Sequence, residues 1–409
     1  MKEKPKHIAM DQFSTKDNSL LIGNIPATQL ANQVGQTPFY AYDRRLIQER
    51  VQLLRNTFPD DIHLHYAIKA NPMPALVQQM SALVDGFDLA SAGEMKVALD
   101  TAMSRQHISF AGPGKTDAEL KQAIAAEIVI NMESETEMER ISQFADEMDL
   151  TPKVAIRVNP DFELKASGMK MSGGPKQFGV DAERVPDMLK RLADLNVQFY
   201  GFHIFSGSQN LSADSIIDAH NKTFELAFRL TEHAPCPPKL LNIGGGLGIP
   251  YFPGDKRIEL QPIAENLAQL LPTVKQNLPE AEIVMELGRF LVGEAGVYIS
   301  KVIDKKISRG ETYLITDGGL HHHLAASGNF GQVIRKNYPA AIANKMDGDK
   351  EIVNVVGPLC TPLDILANKM ELTEADVGDL VVVYQSGAYG YTASPERFLS
   401  HPAVKEVLV

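Results

Sequence analysis

The strongest constraint on the fold of this chain is an alternation of short apolar strands and amphipathic helices. Strands are predicted at residues 64–68, 86–89, 108–110, 128–130, 153–158, 200–204, 240–243 and 283–286. Helical patterns lie between them, for example at residues 92–101, 117–126, 133–149, 185–196, 213–233 and 263–276. Eight such repeats within about 240 residues are typical of an α/β fold of the (β/α)8 barrel type. A doubly wound open sheet is the competing layout.

The pattern changes after residue 290. Strands are predicted at 297–307, 313–316, 351–356 and 380–384, with clusters of Gly, Asp and Pro between them instead of helices. Residues 37–42 also have the pattern of a strand, and they can pair with these later strands. We therefore predict two domains, a barrel over residues 43–290 and a mostly β domain built from residues 1–42 and 291–409.

Composition excludes several classes of protein. The 409 residues are 44% hydrophobic and 22% charged, with a formal net charge of −11. This acidic balance argues against nucleic acid as a main partner, and no apolar run approaches the roughly 20 residues of a membrane-spanning helix. The start of the chain has charge but lacks the apolar core of a secretory signal. Two cysteines cannot form a disulfide framework, so we expect a cytoplasmic location.

Lys69 ends the first predicted strand and precedes Asn71 and Pro72, which stop that strand. In a parallel α/β architecture, catalytic side chains project from this end of a strand. A partly desolvated lysine in this position can form a Schiff base with a carbonyl group. The same position also suits an ordinary solvated lysine.

Polar residues follow several other predicted strands. Asp88 can hold an ammonium group such as that of Lys69, or it can cap a turn. His203 can stack on a flat cofactor ring or serve a structural role, and the hydroxyl of Ser206 can donate to phosphate. Glu286 can pair with a protonated ring nitrogen.

Arg289 follows Glu286 by three residues. Its guanidinium group can bind a phosphate or a carboxylate. The alternative is an ordinary ion pair between these two residues.

The glycines Gly244, Gly245 and Gly246 follow an apolar strand. Because they lack side chains, their backbone N–H groups can wrap an anion. The spacing fails the dinucleotide fingerprint at Ile249, and no Gly-Lys-Ser/Thr follows as in a P-loop. The pattern favours a phosphate cradle over a tight structural turn.

Three later motifs carry reactive side chains. Cys360 lies in a Gly/Pro turn, where an accessible thiol can act as an acid or base, although free cysteines are more often small buried hydrophobes. Tyr389 stands between small residues, so its hydroxyl can reach a ligand. The run from His321 to His323 suggests a metal site, but adjacent histidines on a strand alternate faces and nothing completes a zinc set. We predict no metal.

Together these motifs resemble those of the alanine-racemase-fold pyridoxal-phosphate decarboxylases, the group that holds diaminopimelate, ornithine and arginine decarboxylases. The similarity extends from residue 37 to residue 402. The motifs that carry it are Tyr66-Ala-Ile-Lys-Ala-Asn71, Asp88-Leu-Ala-Ser91, residues 244–248, Glu286-Leu-Gly-Arg289, Gly357-Pro-Leu-Cys360 and Gly387-Ala-Tyr389.

The resemblance implies pyridoxal 5'-phosphate as the cofactor and a decarboxylase as the activity. Lys69 would hold the cofactor covalently, with Asp88 nearby and with Arg157 approaching the side of the ring hydroxyl. His203 would stack on the ring, and Glu286 would pair with its nitrogen, where racemases of this fold usually have arginine. The resemblance implies phosphate contacts from Ser206, Gly244, Gly245, Gly246, Arg289 and Tyr389.

The resemblance also implies a homodimer. Cys360 would come from the partner subunit and protonate the carbanion that remains after CO2 leaves. A non-catalytic homologue that only binds the cofactor is an alternative, but retention of Lys69, Glu286, Cys360 and Tyr389 together argues against it.

Departures from the best-known members concern the substrate. Ornithine and diaminopimelate decarboxylases carry an acidic residue directly after the cysteine, and here that residue is Thr361. Diaminopimelate decarboxylases also carry an Arg…Tyr pair soon after Asp-Gly-Gly, where this chain has its histidine run. We therefore predict a substrate other than diaminopimelate or a free basic amino acid, although a free-amino-acid decarboxylase stays as the alternative. Thr361, His322 and Asp364 are predicted substrate residues.

The C-terminal motifs are similar to a narrower branch. Cys-Thr-Pro-x-Asp, Gly-Ala-Tyr-Gly and Phe-Leu-x-His-Pro are similar to the butirosin-pathway decarboxylase, which acts on a glutamyl thioester of an acyl carrier protein. They are also similar to siderophore-pathway decarboxylases of citryl-diaminopropionate. Asp-Gly-Gly-x-His-His-His and residues 171–179 favour the first of these. Lys165, Lys170 and Lys176 either help to dock an acidic carrier or belong to a solvated loop.

Overall fold

The computed structural model describes residues 5–163, 169–170 and 173–409. The chain divides into two compact units. We call residues 51–249 and 257–288 the barrel unit, and residues 1–50, 250–256 and 289–409 the β unit. The β unit thus takes both ends of the chain together with a short insertion, residues 250–256, that directly follows the glycine-rich segment.

The barrel unit contains eight parallel strands that close into a barrel. Each strand pairs with its neighbours in the sequence, and pairing of the eighth strand with the first completes the circle. In chain order the strands are Ile62–Ala67, Gly86–Leu89, Ile108–Phe110, Val129–Met132, Lys153–Asn159, Gln198–Ile204, Leu240–Asn242 and Glu282–Leu287. The predicted (β/α)8 barrel is confirmed. The open-sheet alternative is wrong, because an open sheet would leave two unpaired edges.

Helices connect consecutive barrel strands, and Arg44–Thr57 precedes the first strand. Local capping sets where several of them begin, since the hydroxyls of Ser91, Thr116 and Ser134 each accept the backbone N–H three residues on. The connecting helices are Pro74–Met80, Ala92–Leu99, Asp117–Ala125, Glu135–Met148, Val185–Leu192, Ala213–Thr231 and Gln261–Asn277. Among the described residues, no helix combines the length and apolar character that a membrane span requires.

A mostly antiparallel sheet forms the β unit. Its central strand, Gly296–Ser308, pairs with Phe39–Tyr42 and Leu380–Val383 through its first half and with Glu311–Thr316 through its second half. Pairing with Phe39–Tyr42 confirms that the start of the chain joins the later strands. The remaining strands of this sheet are Ala340–Ile342, Lys350–Val356, Ile365–Thr373 and Lys405–Leu408.

The core of the β unit lies between this sheet and the N-terminal segment. Phe39, Val297 and Val382 are fully buried there and pack with Leu20 and Leu30. The N-terminal segment itself folds into the short strands Thr15–Lys16, Ser19–Ile22 and Ile25–Pro26 and the helix Ala27–Val34. A helix of four residues, Arg289–Val292, leads into the central strand.

Candidate active site

Lys69 lies in a 3-10 turn, Ile68–Ala70, that directly follows the first barrel strand. Two hydrogen bonds hold the end of this turn. The Tyr66 hydroxyl donates to the Asn71 carbonyl at 2.8 Å, and Asn71 Oδ1 accepts from Met73 N at 3.1 Å. The sequence predicted Lys69 as the last residue of the strand, and the structure places it two residues beyond, in a turn that orients the side chain.

Glu286, near the end of the eighth barrel strand, lies between Lys69 and His203 and contacts both. Its Oε1 lies 3.0 Å from Lys69 Nζ, and its Oε2 lies 3.1 Å from His203 Nε2. Glu286 and His203 are 4% and 1% exposed. Burial by itself would raise the pKa of Glu286, but Lys69 and His203 hold that pKa well below its usual value. The residue is therefore a buried carboxylate at neutral pH.

Asp88 belongs to a chain of polar residues inside the barrel. Its Oδ1 accepts a 2.5 Å hydrogen bond from Ser109 Oγ, and its Oδ2 lies 3.4 Å from His65 Nδ1. Ser109 Oγ in turn accepts from Asn131 Nδ2 at 3.0 Å. These four residues come from the first four barrel strands. Asp88 is one candidate for the ammonium partner of Lys69 on sequence grounds, and in the structure the ammonium group of Lys69 lies 3.0 Å from Glu286.

The aromatic ring of Phe205 lies beside Lys69. The Phe205 ring centroid is 5.5 Å from Lys69 Nζ and 6.4 Å from the centroid of His203. The Nδ1 atom of His203 is buried and lacks a hydrogen-bond partner within the described parts of the chain. Ser206, just after the sixth strand, is buried as well.

The glycine run forms a turn that only glycine fits. Gly244 and Gly246 have φ of +70° and +84°. A Cβ on Gly245 would lie 2.1 Å from the backbone oxygen of Glu286. The Gly244 N–H donates to Asn242 Oδ1 at 2.8 Å, so this amide is already bonded within the turn, contrary to a cradle of three free amides. The structure gives no acceptor for the Gly245 and Gly246 amides within its described residues.

Arg157, on the fifth barrel strand, is buried and paired. Its Nη1 donates to Glu133 Oε1 at 2.6 Å, and its guanidinium carbon lies 4.9 Å from the centroid of the Phe178 ring. Sequence reasoning did not single out Glu133. The available signal was its position directly after the fourth barrel strand.

Arg289 and Tyr389 form a cluster within the β unit. Arg289 Nη1 donates to the Tyr251 hydroxyl at 2.8 Å, and its guanidinium carbon lies 4.6 Å from the Tyr389 ring centroid. Burial by itself would lower the pKa of Arg289, but Tyr251 and Tyr389 raise it overall. Tyr389 has φ of +53°, a strained conformation for a residue with a side chain and one that is frequent at functional sites. Tyr251 was not predicted, although it follows the glycine segment closely.

Cys360 lies in the turn between the strands Lys350–Val356 and Ile365–Thr373, and it is exposed. The exposed Leu363 is in the same turn. The Thr361 hydroxyl accepts from Leu363 N at 3.3 Å. The predicted accessibility of this thiol is therefore present within the single chain.

Asp364 shapes the Cys360 turn. It is 2% exposed, and its two oxygens accept from Leu320 N at 2.6 Å and Leu359 N at 2.9 Å. A Cβ on Gly319 or Gly357 would lie 2.1 Å or 2.3 Å from these carboxylate oxygens, which explains both glycines. The described contacts of Asp364 are thus with the backbone of its own unit, and its assignment as a substrate residue stays a prediction.

The histidine run lies in a buried turn, not on a strand as the sequence analysis assumed. His322 Nε2 lies 2.9 Å from the Pro402 carbonyl, and His323 Nε2 lies 2.9 Å from Ser386 Oγ. The ring of His321 is 3.7 Å from that of His322. Burial lowers the pKa of both His321 and His323 to about 3. Within the described residues, no three side chains form a metal-ligand group.

A lysine, a buried glutamate and a glycine turn at the strand ends of a closed parallel barrel suit an enzyme that uses pyridoxal phosphate, in which a lysine forms a Schiff base and a charged side chain pairs with the ring nitrogen. The chain belongs to the pyridoxal-dependent decarboxylase family, because residues 44–293 match the pyridoxal-binding domain of that family. The predicted cofactor, pyridoxal 5'-phosphate, and the predicted decarboxylase activity are thereby confirmed. The biosynthetic decarboxylases of amino acids and amino-acid conjugates are its relatives.

Three relatives cover almost all of the chain. An L-glutamyl–acyl-carrier-protein decarboxylase of Niallia circulans is 36% identical over 91% of this chain and 89% of its own length. A diaminopimelate decarboxylase of Aquifex aeolicus is 34% identical over 96% and 91%. A Staphylococcus aureus decarboxylase of a 2-hydroxybutanedioate that carries an L-alanin-3-ylcarbamoyl group is 32% identical over 91% and 94%. The three act on different substrates, so identity alone does not choose among them.

Proposed function

We propose that this decarboxylase acts on an amino-acid unit carried by a larger conjugate, with a glutamyl group on an acyl carrier protein as the leading candidate. The observation that carries the proposal is the turn at Cys360. The residue after the cysteine is Thr361, and the nearby carboxylate of Asp364 is buried with both oxygens bonded to backbone N–H groups. Neither group suits a free ammonium at the far end of a diamine. A thioester conjugate lacks that ammonium and needs no such partner.

The residues of the barrel fit pyridoxal 5'-phosphate on structural grounds. Glu286 is a buried carboxylate, His203 has a buried nitrogen without a described partner, and the glycine turn excludes side chains from its surface. When bound, the cofactor supplies an electron sink for the bond between Cα and the carboxylate. Lys69 would hold it covalently, and Glu286 would keep a proton on its ring nitrogen. His203 would cover one face of the ring.

The phosphate group would be bound by the amides of Gly245 and Gly246. Ser206, Arg289 and Tyr389 keep their predicted roles as further phosphate ligands. The orphaned Nε of Arg289, buried in the β unit, supports an anionic ligand, because no described residue accepts from it.

Cys360 would deliver the proton that returns to Cα after CO2 departs, and we propose that it acts on the cofactor of a partner subunit in a homodimer. Exposed apolar residues of the same unit support a dimer, since Val333, Ile334 and, in the Cys360 turn, Leu363 are 102%, 76% and 57% exposed in the single chain. The predicted absence of nucleic-acid and membrane partners and the cytoplasmic location remain parts of this proposal. They rest on composition.

Complementation tests the shared site. Lys69→Ala and Cys360→Ser variants are purified separately, mixed, and allowed to exchange subunits. If Cys360 serves the partner's Lys69, half of the dimers regain one intact site, so the mixture should recover about a quarter of wild-type activity. Recovery that never exceeds the sum of the separate variants would place both residues in one subunit's site.

A substrate panel tests the proposed function. Release of CO2 is measured from glutamyl-loaded acyl carrier protein, the citryl-diaminopropionate conjugate, diaminopimelate, lysine and ornithine. Turnover of the loaded carrier, with kcat/KM at least about 100-fold above that for the free amino acids, is expected. Turnover of only the free amino acids would contradict the proposal and favour the runner-up, a free-amino-acid decarboxylase.

Of the three lysines predicted to dock a carrier protein, the structure describes the side chain of Lys176 alone. Lys165, Met171 and Ser172 are outside the described residues, as is the side chain of Lys170. Lys176 is partly exposed. Lys176→Glu is therefore the first variant to compare in the assay with the loaded carrier.

A further inference from the structure

Glu133 joins three segments at the carboxyl ends of neighbouring barrel strands. The residue directly follows the fourth strand and is 6% exposed. Its Oε1 accepts from Arg157 Nη1 and from Gly112 N, both at 2.6 Å, and its Oε2 accepts from Gly179 N at 2.9 Å. Both oxygens are therefore bonded, and the partners come from the third strand's loop, the fifth strand and the segment 173–179.

The loop after the third barrel strand, which contains Gly112, is held by two hydrogen bonds. Gly112 donates its N–H to Glu133, and its carbonyl accepts from Lys115 Nζ at 2.9 Å. Lys115 is 3% exposed, and it also donates to Glu137 Oε1 at 2.6 Å. Moving this loop would leave the buried ammonium group of Lys115 without some of its hydrogen-bond partners. Because a buried charge without partners is costly, these contacts make the loop rigid.

The segment 173–179 lies against the fifth strand. Gly179 has φ of +74°, and a Cβ there would lie 2.8 Å from the Arg157 carbonyl oxygen. Asn159 Nδ2 donates to the Gly174 carbonyl at 3.0 Å, which anchors the other end of the segment. Between these anchors, the Phe178 ring packs on the Arg157 guanidinium.

Glu133 also stays charged. Burial by itself would raise its pKa, but Arg157, Lys115 and the Gly179 amide lower that pKa overall. The Glu133 carboxylate accepts from Arg157 Nη1 and from the Gly112 and Gly179 amides at once, whereas a side-chain amide would turn an N–H group towards some of these donors.

We propose that Glu133 is a positioning residue for decarboxylation, acting through Arg157 and through the segment 173–179. Glu133 itself is assigned no contact with substrate or cofactor. Its carboxylate fixes the direction of the guanidinium and keeps the segment anchored at the carboxyl end of the barrel. This inference rests on the proposed function and on the role that the family resemblance implies for Arg157, beside the hydroxyl of the cofactor ring.

The test uses Glu133→Gln in the cofactor-loaded enzyme. We expect kcat/KM to fall about 10-fold to 100-fold, because buried donors lose their acceptor. Hydrogen exchange of a peptide over residues 173–181 should become faster, while that of residues 62–67 stays unchanged. The uncompensated charge of Arg157 should also move the pH midpoint of the cofactor's visible absorbance to lower pH, since a nearby positive charge lowers the pKa of its neighbours.

A double-mutant cycle separates positioning from a merely structural role. In an Arg157→Met background, Glu133→Gln should cost less activity than it does in the wild type, because one of the two elements through which it acts is gone and only the anchor of the segment 173–179 remains to be lost. The matched control is Glu139→Gln, which makes the same charge change at an exposed ion pair with Arg191 on the next helix. It should leave activity and exchange unchanged.

Two results would overturn the inference: unchanged exchange over residues 173–181, or an equal cost of Glu133→Gln with and without Arg157. If Glu133→Gln fails to fold, Glu133→Asp replaces it, because aspartate keeps the negative charge on a side chain shorter by one methylene group. Faster hydrogen exchange over residues 173–181 is then the result expected of that variant. Failure of the proposed function looks different, because the wild-type enzyme itself would then release no CO2 from the conjugates.

Discussion

The barrel unit and the β unit present their reactive groups in opposite ways. In the barrel unit, the carboxylate of Glu286 is buried and pairs with Lys69 and His203 inside one structural unit. In the β unit, Cys360 is exposed on a turn, and the nearby carboxylate of Asp364 is buried and accepts hydrogen bonds from the backbone amides of Leu320 and Leu359.

This difference separates the chemistry of the family from the choice of substrate. Buried, paired charges are expensive to rearrange, so the groups that hold the cofactor are tied to the barrel core. A residue on an exposed turn, such as Thr361, can change without disturbing a core. Substrate differences among relatives of similar overall identity are therefore expected on turns like that of Cys360.

Removing the lysine should have the largest effect. In Lys69→Ala, we expect loss of the visible absorbance of the bound cofactor and a fall in CO2 release of at least about 1,000-fold, because the covalent link is gone. Absorption spectra and a CO2 assay measure both effects. The control is Lys96→Ala, which removes an exposed lysine paired with Asp100. Retained absorbance and activity in Lys69→Ala would show that the assignment of Lys69 is wrong.

The second prediction concerns Cys360, on the exposed turn of the β unit. In Cys360→Ser, we expect kcat to fall about 100-fold, because the serine hydroxyl is a much weaker acid than a thiol. The cofactor absorbance should stay as in the wild type, since Cys360 does not hold the cofactor in this scheme. Cys236→Ser is the matched control, because Cys236 is the other cysteine of the chain and is also exposed. Equal activity of the two variants would remove Cys360 from the mechanism.

The third prediction, with the smallest effect near neutral pH, concerns folding stability. We expect acid to lower the free energy of unfolding of the β unit more than that of the barrel unit. His321 and His323 in the β unit have folded-state pKa values of about 3, whereas His220 in the barrel unit has a pKa of about 4. In the unfolded chain each binds a proton below about pH 6.5. The unfolded state thus binds more protons in this window, and stability falls as pH decreases from 6.5 towards the folded pKa.

Each such histidine should contribute about 1.4 kcal/mol of lost stability for each pH unit below 6.5. Urea unfolding at pH 7, 6 and 5, combined with hydrogen exchange, measures the loss in each unit. We expect the β unit to open first, and His323→Gln to reduce the pH dependence there. Equal exchange of both units at pH 5 would contradict the comparison.

Local patterns predicted most elements to within a few residues. The helix predicted at 213–233 is Ala213–Thr231, and the eight barrel strands all lie near their predicted positions. Ile365–Thr373 was missed, because Asn368 and Lys369 interrupt its alternation and Lys369 has φ of +47°. The edge strand Lys405–Leu408 was missed for a related reason. It is short, and its partner Phe39–Tyr42 is far away in the sequence.

The sequence by itself predicted the barrel, the mostly β domain and, through the resemblance to a known family, the cofactor, with Lys69, His203, Glu286 and Cys360 as candidate site residues. Period and turn residues are local properties that predict strands and helices, whereas the cofactor followed from the resemblance of the motifs to a known family. Only the tertiary structure decided which polar groups meet. Lys69 and Glu286 are 217 residues apart and come within 3.0 Å because closure of the barrel makes the first and eighth strands neighbours. The buried turn of histidines and the three contacts of Glu133 likewise depend on chain segments that no local pattern connects.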